Sequence, residues 1–255
     1  MTPAASGSIA LGLRRRARAL FDASPTYEPS ARDLRTVRLA GVVLPLRATV
    51  AMLVVVTVVS LDWSRTFIPK AILDLNRAPE ALLYQAATRF ILFGLLPLAV
   101  IVLAERDQPA RSGLRIGAWR VGLGFAAVGV AILAPIVLVL ARQPDFQAFY
   151  RPSVAPLPML LATNLLDLPA TEFLMRGFLM FALLRSIGPM AIVVATVPFV
   201  FSHLGKPEVE LLSTFFGGLV YGWLDWRTGS IVWSALAHVA IVTLLVVAVG
   251  AAPAG

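Results

Sequence analysis

Long apolar stretches alternate with short polar segments along most of the chain, and this pattern predicts membrane-spanning helices. The stretch from Val121 to Ala141, for example, contains no ionisable residue. A helix of about 20 apolar residues crosses a hydrocarbon core of about 30 Å, and this stretch has that length. The predicted spans are Leu39–Leu61, Ala81–Ala104, Val121–Leu140, Pro156–Leu184, Gly188–Leu204, Val209–Leu224 and Ser230–Val249. We expect seven or eight spans, because Pro169 either kinks the fourth stretch or divides it into two segments.

The apolar stretches also predict the fold class. Backbone polar groups in lipid have to be satisfied inside the protein, so spans are helices or closed barrels. These stretches are too long and too uniformly apolar for barrel strands, which carry polar positions toward the lumen. We therefore expect an all-α fold, a polytopic transmembrane helical bundle. It divides into a basic N-terminal extension at 1–38, three transmembrane helices at 39–141 and a C-terminal core at 156–249.

Composition supports the membrane prediction and excludes several kinds of site. The chain is 58% hydrophobic and 14% charged, whereas a soluble domain carries about 25% charged residues. The net charge of +8 comes largely from arginines that flank apolar stretches, where they set topology and meet anionic lipid. Membrane lipid is therefore an expected partner, and nucleic acid is not. The absence of cysteine excludes disulfides, cysteine-ligated metals and a cysteine nucleophile.

Lysine and arginine counts predict the orientation in the membrane. The N-terminal extension and the loop after the second span are both rich in arginine, so we expect both to be cytoplasmic. These arginines are Arg14, Arg15, Arg16, Arg18, Arg32, Arg35, Arg38, Arg106, Arg111, Arg115 and Arg120. Part of the extension, Leu11 to Phe21, is expected to lie on the membrane surface as an amphipathic helix. The composition, rich in Ala, Arg and Leu, is typical of bacterial proteins, so the expected location is the plasma (inner) membrane.

Ionisable side chains concentrate in the apolar stretches of the second half, at Asp167, Glu172, Arg176, His203 and His238. Each such group costs about 2.5 to 3.5 kcal/mol on insertion scales and indicates a functional site by default. Glu172 and Arg176 share one helix face, where an ion pair lowers the insertion cost of both. That pair alone could serve only to stabilise the helix. Asp167 is interpreted as the interfacial end of a helix.

One carboxylate and two imidazoles on three helices suit the activation of water. A carboxylate and an imidazole can position and deprotonate a water molecule, and a second imidazole can stabilise an oxyanion. Two histidines and one glutamate also form a ligand set for a divalent metal such as zinc. Neither histidine belongs to an H-E-x-x-H helix, so no cofactor is required by the sequence. Buried acids and histidines also form proton relays in transporters, although no pair of interrupted segments recurs in the two halves.

Three motifs in this region resemble those of the CPBP (Abi) family, which includes type II CAAX prenyl endopeptidases. The residues from Thr171 to Gly177 read TEFLMRG and resemble the family's E-E-x-x-x-R-G motif. The residues from Phe199 to His203 read FVFSH and match F-x-x-x-H. A third motif begins at His238, after a glycine-rich helix and a Thr-Gly-Ser turn. The resemblance covers about residues 156 to 245.

The resemblance implies an intramembrane endopeptidase whose catalytic residues are Glu172, His203, His238 and Arg176. Glu172 and His203 are expected to handle the water, His238 to stabilise the oxyanion and Arg176 to orient Glu172. If a metal is present, its expected ligands are Glu172, His203 and His238. The implied substrate is a peptide or a membrane protein.

Two positions depart from the family motifs and support an alternative function. Thr171 stands where the family usually has its first glutamate, and Val242 stands where the last histidine usually has a polar partner. The alternative is a catalytically silent CPBP-family membrane protein that binds or protects a partner.

Overall fold

A computed structural model describes residues 27–253, and the expected surface helix from Leu11 to Phe21 lies outside these residues. Before the first long helix, the chain forms a two-stranded antiparallel hairpin from β1 (Thr36–Leu39) and β2 (Val42–Pro45). Ala40 and Gly41 turn the chain with φ of 47° and 84°, the left-handed pair that tight hairpins require. The first long helix therefore begins at Leu46 instead of Leu39, and the fold is mostly helical but not purely all-α.

Helices make up most of the remaining described chain. The α-helices are α1 (Leu46–Trp63), α2 (Lys70–Leu73), α3 (Pro79–Arg89), α4 (Leu96–Ala99), α5 (Trp119–Leu140), α6 (Pro144–Tyr150), α7 (Leu157–Glu172), α8 (Phe181–Ile187), α9 (Met190–Phe201), α10 (Glu208–Thr228) and α11 (Val232–Ala251). Short 3₁₀ turns cover Pro109–Ser112 and Arg151–Ser153. The π-helical segment Phe90–Leu95 joins α3 to α4, and the π-helical segment Val100–Ala104 extends α4, so that 79–104 form one long helix.

The fourth apolar stretch forms one helical run. Pro169 lies inside α7, and the π-helical segment Phe173–Met180 continues directly into α8. A π segment holds an extra residue per turn and often marks a functional site in a helix. It rotates the side chains after Glu172 relative to a regular α-helix.

Four described helices are long and apolar enough to cross a membrane. They are Leu46–Trp63, Pro79–Ala104, Trp119–Leu140 and Val232–Ala251. The expected number of seven or eight spans is therefore not confirmed. Helix α9 has only 12 residues, α10 carries acidic residues in its first turn, and the α7–α8 run contains buried charges.

The N-terminal and C-terminal helices pack together in one bundle, with α5 against α11, α3 against α7 and α9 against α10. Glycines allow the α9–α10 approach. A Cβ atom on Gly218 would lie 2.6 Å from the Thr196 side chain, and one on Gly222 would lie 2.8 Å from Ile192. Gly217 faces open space, so only two of these three neighbouring glycines are needed for packing.

A polar cluster ties the N-terminal segment to the start of α1. Arg47, which is 7% exposed, donates from Nη1 to Asp33 Oδ1 at 2.7 Å and to Asp107 Oδ2 at 2.5 Å. Its Nη2 lies 3.1 Å from Glu105 Oε2. Arg111 Nη2 donates to the other oxygen of Asp33 at 2.7 Å. Asp33 precedes α1, whereas Glu105 and Asp107 follow the second long helix. The cluster therefore fixes the start of α1 against the end of that helix.

The cluster is sensitive to acid. Burial opposes the ionised form of Asp33, but hydrogen bonds from Ser30 and Arg47 outweigh it and hold the pKa of Asp33 well below its usual range. Burial also opposes ionisation of Asp107, whose pKa is nevertheless lowered by the backbone N–H of Gln108 and by Arg47. Burial raises the pKa of Glu105. A carboxyl whose pKa falls on folding stabilises the fold above its unfolded pKa of about 3.9 and loses that effect as the pH drops.

We expect Arg47→Gln to lower the thermal unfolding temperature at pH 7, because it leaves buried carboxylates without their cation. Removal of one partner of a buried ion pair costs about 3–5 kcal/mol. The difference from wild type should shrink as the pH falls below about 4, where the unfolded carboxyls are protonated. Unfolding of detergent-solubilised protein between pH 7 and pH 3 measures both effects. Arg38→Gln, at an exposed arginine of β1, is the control, and a difference that is constant with pH would contradict the prediction.

Candidate active site

A fully buried carboxylate lies at the centre of the bundle. Glu172 ends α7 and is 0% exposed. One of its oxygens, Oε2, accepts a hydrogen bond from Arg176 Nη1, one turn further along the same helical run. The other, Oε1, lies 2.7 Å from Nδ1 of His238 on α11. One oxygen of Glu172 thus contacts a side chain of its own helical run, and the other contacts a side chain of α11.

Arg176 lies among groups that stabilise its charge away from water. Its guanidinium carbon lies 4.1 Å from the ring centroid of Phe199 and 5.5 Å from that of Tyr221, which are cation–π distances. Its Nε lies 4.0 Å from Oδ2 of Asp225, which is also fully buried. Glu172, Arg176 and the carboxyl group of Asp225 are therefore neighbours inside the bundle, although neither Asp225 oxygen has a hydrogen-bond partner among the described residues.

His203 follows the C-terminus of α9 and is 7% exposed. Its Nδ1 lies 2.9 Å from the carbonyl oxygen of Phe199, and since a carbonyl only accepts, Nδ1 is the donor. An ionised carboxylate also only accepts, so Nδ1 of His238 is the donor in the hydrogen bond to Glu172. In each neutral imidazole Nε2 then carries the free lone pair. The two rings are nearly parallel, at 18°, with centroids 6.5 Å apart.

A cavity of about 690 Å³ brings the two histidines together with other polar groups. His203, His238, Thr171 and Val242 all line it. Glu172 is not among its lining residues and lies behind His238. The expectation that Glu172 itself contacts the water does not fit this placement, because its two oxygens are already bonded and are closed off from the cavity.

Asp167 lies inside α7 and not at a helix end, so its interpretation as an interfacial helix end is wrong, and it also lines the cavity. Its carboxylate accepts from Arg89 Nη1, at 3.3 Å to Oδ1 and 3.1 Å to Oδ2. Thr171, one turn along the same face of α7, donates from Oγ1 to Asp167 Oδ1 at 3.2 Å. Arg89 donates its Nε and Nη2 to the two oxygens of Asp62, at 2.9 and 2.7 Å. One arginine from the second long helix therefore links α1 to α7 across the cavity wall.

The donor set does not fit a metal ion held by three protein ligands. Both oxygens of Glu172 and both Nδ1 atoms of the histidines are used in protein hydrogen bonds. Only the two Nε2 atoms remain from the expected set of Glu172, His203 and His238. Across residues 27–253, no group of three or more His, Asp or Glu side chains is arranged to hold a metal.

The structure therefore joins Glu172, Arg176 and His238 by direct bonds and brings His203 to the same cavity as His238. Sequence reasoning missed Asp225, although a carboxylate in the apolar α10 segment was a sufficient signal. It also missed the role of Arg89 and Asp62, because the partners of an arginine on another helix cannot be identified from one sequence. Asn164 is a further cavity residue that it missed, and this side chain donates from Nδ2 to Thr243 Oγ1 at 2.9 Å.

Residues 153–244 match the protein family described as type II CAAX prenyl endopeptidase Rce1-like. The match confirms the resemblance to the CPBP family and contains Glu172, Arg176, His203 and His238. The first three long helices lie outside it. No curated protein matches the chain. No solved structure matches it either.

We expect Arg176→Gln to destabilise the protein more than Glu172→Gln does. The arginine change leaves the buried Glu172 carboxylate without its cation, at a cost of about 3–5 kcal/mol, and removes the cation beside Asp225. The glutamate change leaves Arg176 beside Asp225 and two aromatic rings. Thermal unfolding of the two variants in the same detergent measures the order. Equal losses, or a larger loss in Glu172→Gln, would show that Asp225 does not share the charge of Arg176.

Proposed function

We propose that the chain is an intramembrane endopeptidase, because residues 153–244 match the type II CAAX prenyl endopeptidase Rce1-like family. It hydrolyses a peptide bond with water activated by the His238–Glu172 pair. The observation that carries the proposal is that His203 and His238 line one cavity. The buried carboxylate of Glu172 accepts a hydrogen bond from the His238 nitrogen Nδ1 and does not itself line the cavity. Carboxylate–imidazole pairs of this kind fix the tautomer and stabilise the imidazolium that forms during catalysis.

The reaction follows from this arrangement. His238 Nε2 takes one proton from the water, and the water oxygen forms a bond to the peptide carbonyl carbon. Glu172 offsets the positive charge of the imidazolium. The imidazolium then returns the proton to the amide nitrogen as the C–N bond breaks, which releases a carboxylic acid and an amine.

The other cavity groups position the reactants. His203, with its Nε2 lone pair free, accepts a hydrogen bond from the water. The side chain of Asn164 has a second amide N–H besides the one bonded to Thr243. In this proposal that N–H donates to the oxyanion, since the apolar side chain of Val242 has no donor.

Asp167 and Thr171 together replace a cavity glutamate in this proposal. The Thr171 hydroxyl donates its proton to Asp167, so its oxygen lone pairs are oriented away from the carboxylate and can accept from the water. Arg89 holds Asp167 in place through two hydrogen bonds. Asp167 is thus a positioning residue that acts through Thr171.

The membrane arrangement is also part of the proposal. The chain has seven helical passes in a bacterial plasma membrane, with a cytoplasmic N-terminus. The α7–α8 run, α9 and α10 cross as polar or short helices that are covered by the four long apolar ones. Arginine-rich segments at the N-terminus and after the second long helix support this orientation.

We expect new peptide N-termini in membranes of cells that express the wild type, and none of them in cells that express His203→Ala at matched abundance. Loss of the imidazole removes a ligand of the water while Phe199 and the helix end remain. Comparison of N-terminal peptides by mass spectrometry measures this and identifies the cleavage sites. Thr163→Ala, at another cavity-lining position, is the control and should produce the wild-type set. Identical sets from wild type and His203→Ala would rule out the protease.

We expect Asp167→Asn to lower kcat for an identified substrate by about 100-fold, the lower range of an acid–base contribution, with little change in KM. The asparagine side chain carries no negative charge, so it orients the hydroxyl of Thr171 less strongly than the Asp167 carboxylate does. Thr171→Glu in the Asp167→Asn background supplies a carboxylate directly and should restore most of the activity. Kinetics of the purified variants in liposomes measures both effects.

Asp62→Asn separates this role from a structural one, because it removes the other carboxylate bound by the same Arg89. If Asp167 served only to hold Arg89, Asp62→Asn would cost as much activity as Asp167→Asn. Equal losses in the two variants, or failure of Thr171→Glu to restore activity, would contradict the positioning role. The protease proposal would survive that result if His203→Ala remained inactive.

A catalytically silent protein that binds or protects a partner is the second candidate. It is favoured by the cavity wall, where Thr171 and Val242 present a hydroxyl and an apolar side chain at the positions that usually carry catalytic polar groups. Identical N-terminal sets from the wild type and His203→Ala favour this function, and capture of the partner through the cavity would then follow.

A further inference from the structure

We infer that a second pocket of the molecule binds a phosphodiester group, either that of a phospholipid headgroup or that of a soluble molecule. This pocket, here the arginine pocket, has a volume of about 280 Å³. Its lining residues are Tyr27, Glu28, Arg111, Arg115, Arg185, Arg227, Thr228 and Gly229. None of them lines the cavity that contains His203 and His238, so the inference is independent of the proposed protease activity.

The arginine pocket lies where several helices begin or end. Helix α10 ends at Thr228 and α8 ends at Ile187, whereas α5 begins at Trp119 and α11 begins at Val232. Helices α5 and α11 are both long and apolar enough to cross a membrane. The headgroups of a bilayer lie at the level where such helices leave the hydrocarbon core. A lipid phosphate therefore has access to the pocket whichever side of the membrane this end of the bundle faces.

The lining of the arginine pocket is strongly positive. Among the described residues, one carboxylate, that of Glu28, lines the pocket together with four guanidinium groups. The guanidinium groups come from three separate parts of the chain: the loop after the second long helix, the end of α8 and the end of α10. Positive groups that converge on one concave surface attract an anion to it.

Acids behind the lining offset most of this charge. One oxygen of Asp33 accepts a hydrogen bond from Arg111 Nη2 at 2.7 Å and lies 3.8 Å from Arg185 Nε. The carboxylates behind the lining also bind Arg47, and they are Asp33, Glu105 and Asp107. With Arg47 and Glu28 included, five arginines of this region stand against four carboxylates. One positive charge is left over, which equals the negative charge of a phosphodiester.

Arg115 presents the hydrogen-bond donors that a phosphate group needs. Its Nε donates to the carbonyl of Gly229 at 2.8 Å, and its two terminal nitrogens have no protein partner within residues 27–253. A guanidinium fork binds two phosphate oxygens at once. Arg115 is exposed, so a ligand reaches this fork without any opening of the bundle.

The position of Arg115 is fixed before a ligand binds. The backbone N–H of Ala118 donates to the carbonyl of Thr228 at 2.9 Å, which ties the loop of Arg115 to the end of α10. Gly229 has φ of 68°, and a Cβ atom built on it would overlap Nη2 of Arg115. Glycine at this position thus leaves the room that the guanidinium occupies. A preorganised ligand group lowers the entropic cost of binding.

The chemistry of the lining favours a phosphate over a carboxylate. The hydroxyl groups of Tyr27 and Thr228 already donate to the carbonyls of Trp226 and Leu224, at 2.7 and 2.8 Å, so the guanidinium groups are the donors for a ligand. They line the pocket from several directions, and a tetrahedral phosphate accepts hydrogen bonds from several directions. A planar carboxylate accepts them close to one plane.

Two matched probes test the site on the purified full chain in detergent. Dioctanoyl phosphatidylglycerol is the lipid probe, and glycerophosphoglycerol is the same headgroup without acyl chains. Dioctanoylglycerol and glycerol are the controls without phosphate. A ligand that binds only the folded protein raises its thermal unfolding temperature, so titration at constant ionic strength yields a dissociation constant. We expect saturable binding of a phosphodiester probe and no effect of either control.

The relative affinities of the two probes identify the source of the ligand. Lipid binding that is tighter by tenfold or more assigns the pocket to a phospholipid headgroup. Equal affinities assign it to a soluble phosphodiester. Both results support the inference, and absence of a saturable effect with both probes would overturn it.

Arg115→Gln should weaken the binding of each bound probe by at least about tenfold, because it removes charged hydrogen bonds to the phosphate. Arg120→Gln is the matched control, since Arg120 is exposed, follows in the same segment and does not line the pocket. It removes the same charge and should bind each probe as the wild type does. Arg115→Lys keeps the charge without the fork and should also bind at least about tenfold more weakly.

Wild-type affinity of Arg115→Gln would overturn the inference. An equal loss in Arg120→Gln would also overturn it, because diffuse surface charge would then account for binding. The unfolding temperature of each variant without ligand shows whether it is folded. If Arg115→Gln does not fold, Arg115→Lys decides, and wild-type affinity of that variant would contradict a site built on the guanidinium fork. None of these measurements requires enzymatic activity, so the site can fail while the proposed protease stands, and the reverse.

Discussion

The ion pair between Glu172 and Arg176 is the interaction on which the rest of the site depends. A carboxylate without contact to water is tolerable only if a cation and hydrogen bonds compensate its lost hydration. Arg176 supplies that compensation from one turn away, and His238 uses the remaining oxygen. The helices that carry these residues are thereby held together by polar contacts in a bundle whose other contacts are mostly apolar and individually less directional.

The same pair determines how the charge of Glu172 acts on the cavity. Glu172 is enclosed behind His238, so its charge reaches the cavity only through that ring. His203 arrives separately, from the end of α9, where the carbonyl of Phe199 fixes its tautomer. The site thus joins a rigid buried half, centred on Glu172, with an accessible half that contains Asp167, Thr171 and the two Nε2 atoms.

Much of this fold and site could be predicted from the sequence, for identifiable reasons. The membrane helices follow from apolar runs, and Glu172, Arg176, His203 and His238 are conspicuous because charge is costly in lipid. The start of α1 at Leu46 was missed because the apolar hairpin before it resembles the beginning of a span. The position of Glu172 behind His238 depends on helix packing and on the π segment after it, and neither can be derived from local sequence. Asp167 was misassigned for the same reason, since its partner Arg89 lies on another helix.

Arg89 has a consequence for how such a site changes in evolution. It binds two carboxylates from different helices, so a substitution at any one of these three positions alters the charge balance experienced by the other two. Loss of Asp167 would leave Arg89 with one partner, and a new acid at position 171 would bring a further negative charge to the same arginine. The effect of a substitution at any of these positions therefore depends on the residues at the others, and the order in which such substitutions arise decides how well each is tolerated.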